Sequence, residues 1–383
     1  MSWPLVELGS VANFINGFAF KPEQWEGNGK PIIRIQNLTD PDKPFNYSSM
    51  EVHEKYHVVN GDLLVSWSAT LDVFEWNRED ALLNQHIFKV EPNYKKVNKD
   101  YLRYALKDAI SEMLKFTRGS TMKHVNRGDF LGTKIPLPPL ETQKQIAAVL
   151  EKADQLRKDC QQMEQELNSL AQSVFIDIFG DLRVKERYTK KVFFSEIFNI
   201  SSKLVDPKLE QYEDMPHIGP EHIEKITGKI LPYKTAKEDG LISGKFHFKQ
   251  GCVLFSKIRP NLKKVAIPNF DGLCSADMYP LEPVDGVSTK EFIWGLILSL
   301  TFDEYLQVLA SRANIPKINR KELSLFEFYL PSFSDQKQYS SQLIQIQQQI
   351  DINRELMKEV SNNFNALMQK AFSGELNLAN AKT

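Results

Sequence analysis

His53-Glu-Lys-Tyr-His57 spells a catalytic motif in this 383-residue chain. On a helix the spacing places two imidazoles one turn apart, where they can hold zinc while Glu54 acts as general base on a metal-bound water. Glu75 or Glu79 would supply a third ligand. The surroundings suit this poorly: Asn60-Gly61 leaves only about one helical turn beyond His57, and the stretch is polar where a metal-carrying helix must also pack on a core. We read it as a solvated turn before a strand, with a zinc hydrolase using His53, Glu54 and His57 as a remote alternative. The remaining histidines are scattered. Cys160, Cys252 and Cys274 are odd in number and lack Cys-x-x-Cys spacing, which fits a reducing compartment without disulfides or structural zinc. No Gly-x-x-x-x-Gly-Lys-[Ser/Thr] loop, no Gly-x-Gly-x-x-Gly fingerprint and no Asn/Asp-Pro-Pro-aromatic tetrad occurs, so the chain reads as a recognition scaffold and not as a motor or methylase.

Other polar clusters have the chemistry of recognition. Arg and Lys suit guanine edges, Asn and Gln suit adenine edges, and hydroxyls suit phosphates. In the first half the densest cluster is Arg118, Ser120, Thr121, Lys123, His124, Asn126 and Arg127. Arg34, Gln36 and Asn37 join it, as do Ser66 and Ser68 around Trp67, and Asn84, Gln85 and His86 form a further patch. In the second half the candidates are Lys257, Arg259, Asn261, Lys263 and Lys264, then Arg312, Asn314, Lys317, Asn319 and Arg320. The Asn-Arg pairs at 126–127 and 319–320 could instead cap or brace their own domain.

These clusters sit at equivalent places because the chain repeats itself. PLPPLETQKQIAAVLEKADQL (136–156) and YLPSFSDQKQYSSQLIQIQQQI (329–350) each write a proline-bounded strand end and a Gln-Lys-Gln helix start, 193 residues apart. The order before them repeats too. VELGSVANF (6–14) answers VFFSEIFNI (192–200), PIIRIQNL (31–38) answers PHIGPEHI (216–223), and NGDLLVSWS (60–68) answers QGCVLFSKI (250–258). NQHIFKVEP (84–92) then matches SADMYPLEP (275–283), and KDYLRYAL (99–106) matches KEFIWGLI (290–297) as helix openings. Two α+β domains of one plan, 1–140 and 182–332, alternate with long helices at 141–181 and 333–373, before a tail at 374–383.

The helices carry heptad stripes. Positions 146, 149, 153, 156, 160, 163, 167, 170 and 174 read Ile, Val, Ala, Leu, Cys, Met, Leu, Leu, Val. Positions 343, 346, 350, 353, 357, 360, 364, 367 and 371 read Leu, Ile, Ile, Asn, Met, Val, Phe, Leu, Ala. Two such stripes of matching length predict an intramolecular coiled coil, with Asn353 as a buried register-fixing polar residue. A homodimer seam is the other arrangement they allow. Connectivity makes side-by-side helices antiparallel, giving a two-headed molecule with a pseudo-twofold internal repeat. Such a molecule suits a ligand offering two sites at a fixed separation, and duplex DNA, with half-sites about 34 Å apart, is the obvious one. Net charge is −1 overall, and by region 0 for 1–140, −4 for 141–182, +3 for 183–332 and 0 for 333–383. Any polyanion must therefore be held by local clusters or with partners.

The repeated Leu-Pro-[Pro/Ser]-[Leu/Phe]-x-x-Gln-Lys-Gln start, Gly61-Asp-Leu-Leu-x-Ser66, Gly-Ser-Thr at 119–121 and Ala-Phe-Ser-Gly-Glu-Leu at 371–376 resemble the DNA specificity subunit of type I restriction-modification systems. The resemblance spans nearly the whole chain, with departures at Gly251-Cys252 and Arg312-Ala-Asn. It implies two target recognition domains, each reading half of a split, asymmetric sequence in double-stranded DNA. It further implies spacer helices that dock two methyltransferase subunits, with Gln143, Gln145, Gln336, Gln338 and Asn353 as docking or spacer residues. Restriction/translocase subunits would join. The chain itself would be non-catalytic and free of cofactor, with S-adenosylmethionine, ATP and Mg on its partners. A stand-alone DNA-bridging or competitor protein would need the same domains but no docking surface. No apolar run reaches the about 18 residues of a membrane helix and no signal peptide opens the chain, so a cytoplasmic location is expected.

Overall fold

The structure, a computed structural model, describes residues 3–40, 42–68, 70–116, 127–200, 203–310 and 317–378. It divides into two compact units, one of Met1–Asp159 with Met357–Thr383 and one of Cys160–Leu356.

In the first unit an antiparallel sheet runs in the order Ala12–Asn16, Ile87–Pro92, Leu63–Ser66, Asp72–Glu75. A second sheet sets Lys30–Ile33 parallel to Ala81–Leu83. His57–Val58 and Asn46–Ser48 lie antiparallel on its two edges. Leu5–Glu7 pairs with Lys134–Pro136, the strand that leads into the first long helix. The second unit repeats the antiparallel sheet as Phe198–Ile200, Met278–Pro283, Val253–Ser256, Val265–Ala266. Its other sheet again sets a parallel pair, His217–Ile218 with Gly272–Cys274, beside antiparallel Lys245–Phe248. The fourth strand differs: Asn46–Ser48 follows Lys30–Ile33 in the chain and pairs with it, whereas Leu204–Val205 precedes His217–Ile218 and pairs with Lys245–Phe248 on the opposite edge. The chain is thus an α+β internal repeat.

The shared strand Leu63–Ser66 shows why its sequence is continuously apolar. Side chains alternate across a strand, and here both faces are covered: Leu63 and Val65 enter one core while Leu64 enters another. Val253 and Phe255 likewise part from Leu254. A glycine with positive φ precedes each strand, Gly61 at +89° and Gly251 at +95°, a left-handed turn that other residues adopt only at a cost. This explains why glycine stands in both copies although the next residue changes from Asp62 to Cys252.

Each unit then places a helix on its antiparallel sheet. Asn98 caps Lys99–Phe116 through the Tyr101 N–H (2.9 Å), and Thr289 caps Lys290–Leu298 through the Phe292 N–H (3.1 Å). The second copy breaks at Ser299, whose hydroxyl donates to the Leu296 carbonyl (2.7 Å) and accepts from the Phe302 N–H (3.4 Å). A new helix, Leu300–Ala310, begins there.

The long helices are Leu140–Phe179 and Phe333–Ser373, 40 and 41 residues, each about 60 Å at 1.5 Å per residue. The first glutamine of each Gln-Lys-Gln start, Gln143 and Gln336, is a buried staple and not an exposed docking residue, a correction to the sequence reading for these two. Gln143 is fully buried: its Oε1 accepts the Asn98 N–H (2.8 Å), and Nε2 donates to the Lys96 (3.0 Å) and Pro138 (2.8 Å) carbonyls. Gln336 does the same with the Thr289 N–H (3.2 Å) and the Val287 (3.0 Å) and Pro331 (3.1 Å) carbonyls. The loop before each sheet-covering helix is thereby pinned to the start of a long one. Gln145 is half-buried, and Gln338 is exposed.

Within the second unit the long helices run antiparallel. Asn353 Nδ2 donates to the Cys160 carbonyl (2.8 Å), Arg354 pairs with Glu164 (2.7 Å), and Tyr339 packs on Phe175 and Phe179 with centroids 5.4 and 5.3 Å apart. Asn353 is buried in the seam. Within the first unit Ile146 and Leu150 share a core with Phe364 and Ala371, and the Arg157 guanidinium lies 4.6 Å from the Phe364 ring.

The heptad stripe of the second helix is buried or half-buried throughout, but the first helix departs from it. Leu156, Met163 and Leu170 are about half exposed (52, 48 and 46%), and Ala171, Phe175 and Phe179 are buried in place of the positions just before them. The first helix packs on more than the second helix. Tyr104 donates to Glu151 (2.9 Å) from one side, and Phe292 stacks on Phe175 with centroids 6.0 Å apart. A helix with two neighbours at an angle buries a wider face than an a/d stripe.

Candidate nucleic-acid interface

Register determines which side chains meet at the end of each antiparallel sheet. Ser66 pairs with Ile87, so Trp67 and His86, one step beyond, stand opposite each other, with the Trp67 N–H donating to the His86 carbonyl (3.4 Å). Ser256 pairs with Met278, and the Lys257 N–H donates to the Asp277 carbonyl (3.0 Å). The two units therefore build the same place from different residues.

In the first unit that place is aromatic. The Trp67 ring stacks on buried Phe88 (5.7 Å, 27°), and exposed His86 leans on it (5.6 Å). Arg127 lies 5.8 Å from the Phe88 ring and donates to the Phe14 carbonyl (2.9 Å), so it braces the sheet. In the second unit the place is charged. The Lys257 ammonium sits 5.7 Å from the ring of buried Tyr279 and 3.7 Å from the Asp277 carboxylate, and donates to the Ala276 carbonyl. Burial and then neighbouring Lys317 hold Lys257 below the usual lysine range, with Asp277 pulling the other way. Burial raises the Tyr279 phenol, against Arg320; its Oη donates to the Ile318 carbonyl (3.2 Å).

A basic loop adjoins the second place. Ile258 bridges to Lys317, and the Ile318 N–H donates to the Lys257 carbonyl (2.9 Å), which sets exposed Lys317 beside Lys257. Arg259 and Lys263 bracket a one-turn helix, Pro260–Leu262, at φ +48° and +49°. Such left-handed non-glycine residues store about 1–3 kcal/mol each and concentrate at functional loops. Arg259 and Asn261 are exposed. Lys263 is tied to Asp303 (2.6 Å) and the Leu298 carbonyl (2.8 Å), and Lys264 to the Pro220 carbonyl (2.6 Å). These two fasten the loop to its unit.

Asn37, Ser66 and Ser68, expected as contacts, turn inward. Asn37 is 3% exposed, with Oδ1 accepting the Arg34 N–H (3.1 Å) and Nδ2 donating to the Lys43 (3.1 Å) and Pro44 (3.2 Å) carbonyls, so no donor is left for a base. Ser66 is fully buried and closes the turn to Thr70 and Asp72, and Ser68 is buried beside it. Small polar residues at strand ends satisfy the backbone first. Arg34 is held by Asn46 (3.1 Å) and lies 5.2 Å from the Trp25 ring, with Gln36 half-buried nearby. Asn84 is half-buried and Gln85 exposed in the turn before Ile87–Pro92. Asn319 caps Arg320–Ser324 by accepting the Glu322 N–H (2.9 Å), while Glu322 accepts the Asn319 N–H (2.8 Å). Arg320 is half-buried behind it. Arg118, Ser120, Thr121, Lys123, His124, Asn126, Arg312 and Asn314 lie outside the described residues.

The zinc alternative fails on geometry. His53 caps a single 3-10 turn, Glu54–Tyr56, by accepting the Lys55 N–H (3.2 Å), and His57 begins a strand with Lys30 Nζ 3.2 Å from its Nδ1. The helical turn needed to align two imidazoles is not formed. Glu75 is engaged by Lys99 (2.8 Å) and Arg103 (3.4 Å). Among the described residues no cluster of three metal-binding side chains occurs, and no single helix is long and apolar enough to cross a membrane.

Asp277, Phe88 and Tyr279 were missed from sequence, because an acidic residue and two buried rings are not what a search for DNA-binding groups selects. The alignment of NQHIF with SADMY was the available signal.

The repeat has a counterpart among known proteins. The family model described as the type I restriction modification DNA specificity domain matches residues 2–169 and again 187–362. The chain belongs to this family. It is 30% identical over 331 residues to the type I restriction enzyme EcoDI specificity subunit of Escherichia coli, covering 76% of this chain and 73% of the relative. It is 23% identical over 419 residues to the MjaVIII specificity subunit of Methanocaldococcus jannaschii, covering 99% and 94%. A crystal structure of the S subunit of a type I system from M. genitalium superposes with a TM-score of 0.58 at 14% identity, covering 97% of this chain and 96% of that one, and supports the fold. As a specificity subunit the chain is a non-catalytic, DNA-recognising component of a restriction-modification system.

Proposed function

We propose that this specificity subunit reads a bipartite, asymmetric target in double-stranded DNA, one half with residues 1–140 and the other with residues 182–332. The observation that carries this reading is the equivalent pair of sheet ends, with one backbone geometry and two different sets of side chains. Two identical readers would specify a palindrome; two diverged ones specify unlike halves. The helical segments 141–181 and 333–373 fix the unread gap.

Two methyltransferase subunits dock on those helices, and restriction/translocase subunits join them. Exposed apolar side chains support docking: Leu156, Met163 and Leu170 on the first long helix, and Ile344, Ile352 and Leu356 on the second. We read these exposed apolar side chains as part of the surface the partners cover. S-adenosylmethionine, ATP and Mg belong to the partners. The three free thiols suit work in the cytoplasm.

The test is single-molecule methylation sequencing of DNA from cells expressing the chain with its methyltransferase, against the methyltransferase alone. Methyladenine at one split asymmetric motif, only when the chain is present, is the expected result. No new methylation while the two proteins still copurify would make the chain a competitor, and failure to copurify would leave a stand-alone DNA-bridging protein.

A further inference from the structure

We infer that positions 67 and 86 in the first unit, and 257 and 277 in the second, are equivalent specificity-determining pairs, each setting one base preference in its own half-site. The inference rests on the proposed function and deepens it. Each pair is layered in the same way. A buried ring forms the floor (Phe88 or Tyr279), a half-buried side chain lies on it (Trp67 or Lys257), and an exposed side chain tops it (His86 or Asp277).

Both backbones are fixed by the same cross-strand hydrogen bond, so substitution changes chemistry without moving the platform. A site that must diverge in specificity while keeping its fold needs this property. The top residue meets the ligand and the one beneath sets its character. The Asp277 carboxylate offers only acceptors, and Lys257, 3.7 Å away, orients it; a carboxylate in this setting selects a base with an exocyclic amine, cytosine above all. His86 rests on an indole instead of an ammonium. It presents a flat ring that favours apolar contact, including a thymine methyl, and a single imidazole hydrogen bond. The phosphate-binding work falls to neighbours such as Lys317 and Arg259, which carry no sequence information. Asp277 would be an odd residue on a surface that served phosphate alone, since it repels the backbone.

The experiment uses the full chain with its methyltransferase and a DNA pool randomised across both half-sites, read by methylation sequencing and by selection of bound DNA. Asp277→Asn should change the preference at one position of one half-site by roughly 5- to 150-fold, with the other half-site and the gap unchanged. His86→Ala should do the same in the opposite half. Exchanging chemistry with Lys257→Trp plus Asp277→His should give the second half-site a new preference. An unchanged motif in all variants overturns the inference, as does uniform weakening across every sequence, which would assign these residues to the phosphate backbone. Should a variant lose methylation, the bound-DNA selection decides, after a thermal melt confirms folding. A wild-type chain that yields no split motif instead defeats the proposed function itself.

Discussion

Replacing Gln143 with leucine removes the staple between the loop before Lys99–Phe116 and the first long helix. Three hydrogen bonds vanish, from the Asn98 N–H and to the Lys96 and Pro138 carbonyls, at a site with no solvent exposure. Each is worth about 0.5–1.5 kcal/mol net, and a buried group left unsatisfied costs about 1–3 kcal/mol. Leucine fills much of the volume, so the loss is electrostatic and not a cavity. Allowing for non-additivity, a destabilisation on the order of 3–5 kcal/mol is expected. That is a large share of the about 5–15 kcal/mol that holds a typical domain. Urea denaturation of the full chain measures it, and hydrogen exchange at the Asn98 amide locates it. Trp3, Trp25, Trp67 and Trp76 lie in the first unit and only Trp294 in the second, so tryptophan emission reports chiefly on the right unit. Gln336→Leu should cost the second unit a similar amount. A loss below about 0.5 kcal/mol, the level of an ordinary surface change, would refute the staple and return these glutamines to partner docking.

Two further outcomes follow from buried polar groups. Burial, with Glu112 adding to it, pushes the Asp108 carboxyl up to about 6 from 3.8. A raised carboxylate favours the folded state below pH 3.8 and loses that advantage as pH rises through about 6. The ceiling is about 3 kcal/mol at 1.36 kcal/mol per unit; partial exposure screens it to about 1–2 kcal/mol. Asp108→Asn should therefore flatten the stability profile between pH 4 and 6, measured as the urea midpoint. Tyr339 is fully buried among Phe175, Phe179 and Gly295, and its hydroxyl has no hydrogen-bond partner among the described residues. Tyr339→Phe should leave the melting temperature unchanged or raise it by a few degrees, because only an unsatisfied polar group is removed; a fall of several degrees would contradict the packing.

The sequence by itself determined the repeat, the α+β plan of each copy, the starts of both long helices and the buried place of Asn353. These are written in local periodicity and in punctuation by proline, glycine and capping residues, which act over a few residues and recur at a fixed interval. Tertiary structure alone decided which polar residues stay available. Asn37, Ser66, Gln143 and Gln336 read as contact residues from their type, yet each faces a backbone donor or carbonyl that folding brings within reach. A buried polar group must be paired, and the partner is set by long-range register that no short stretch encodes. The same cause exposes Leu156, Met163 and Leu170 on a stripe that looked like a seam, since a helix with two neighbours turns its buried face toward both. It also joins Trp67 to His86 and Lys257 to Asp277, pairs separated by about twenty residues in sequence and made adjacent only by the pairing of two strands.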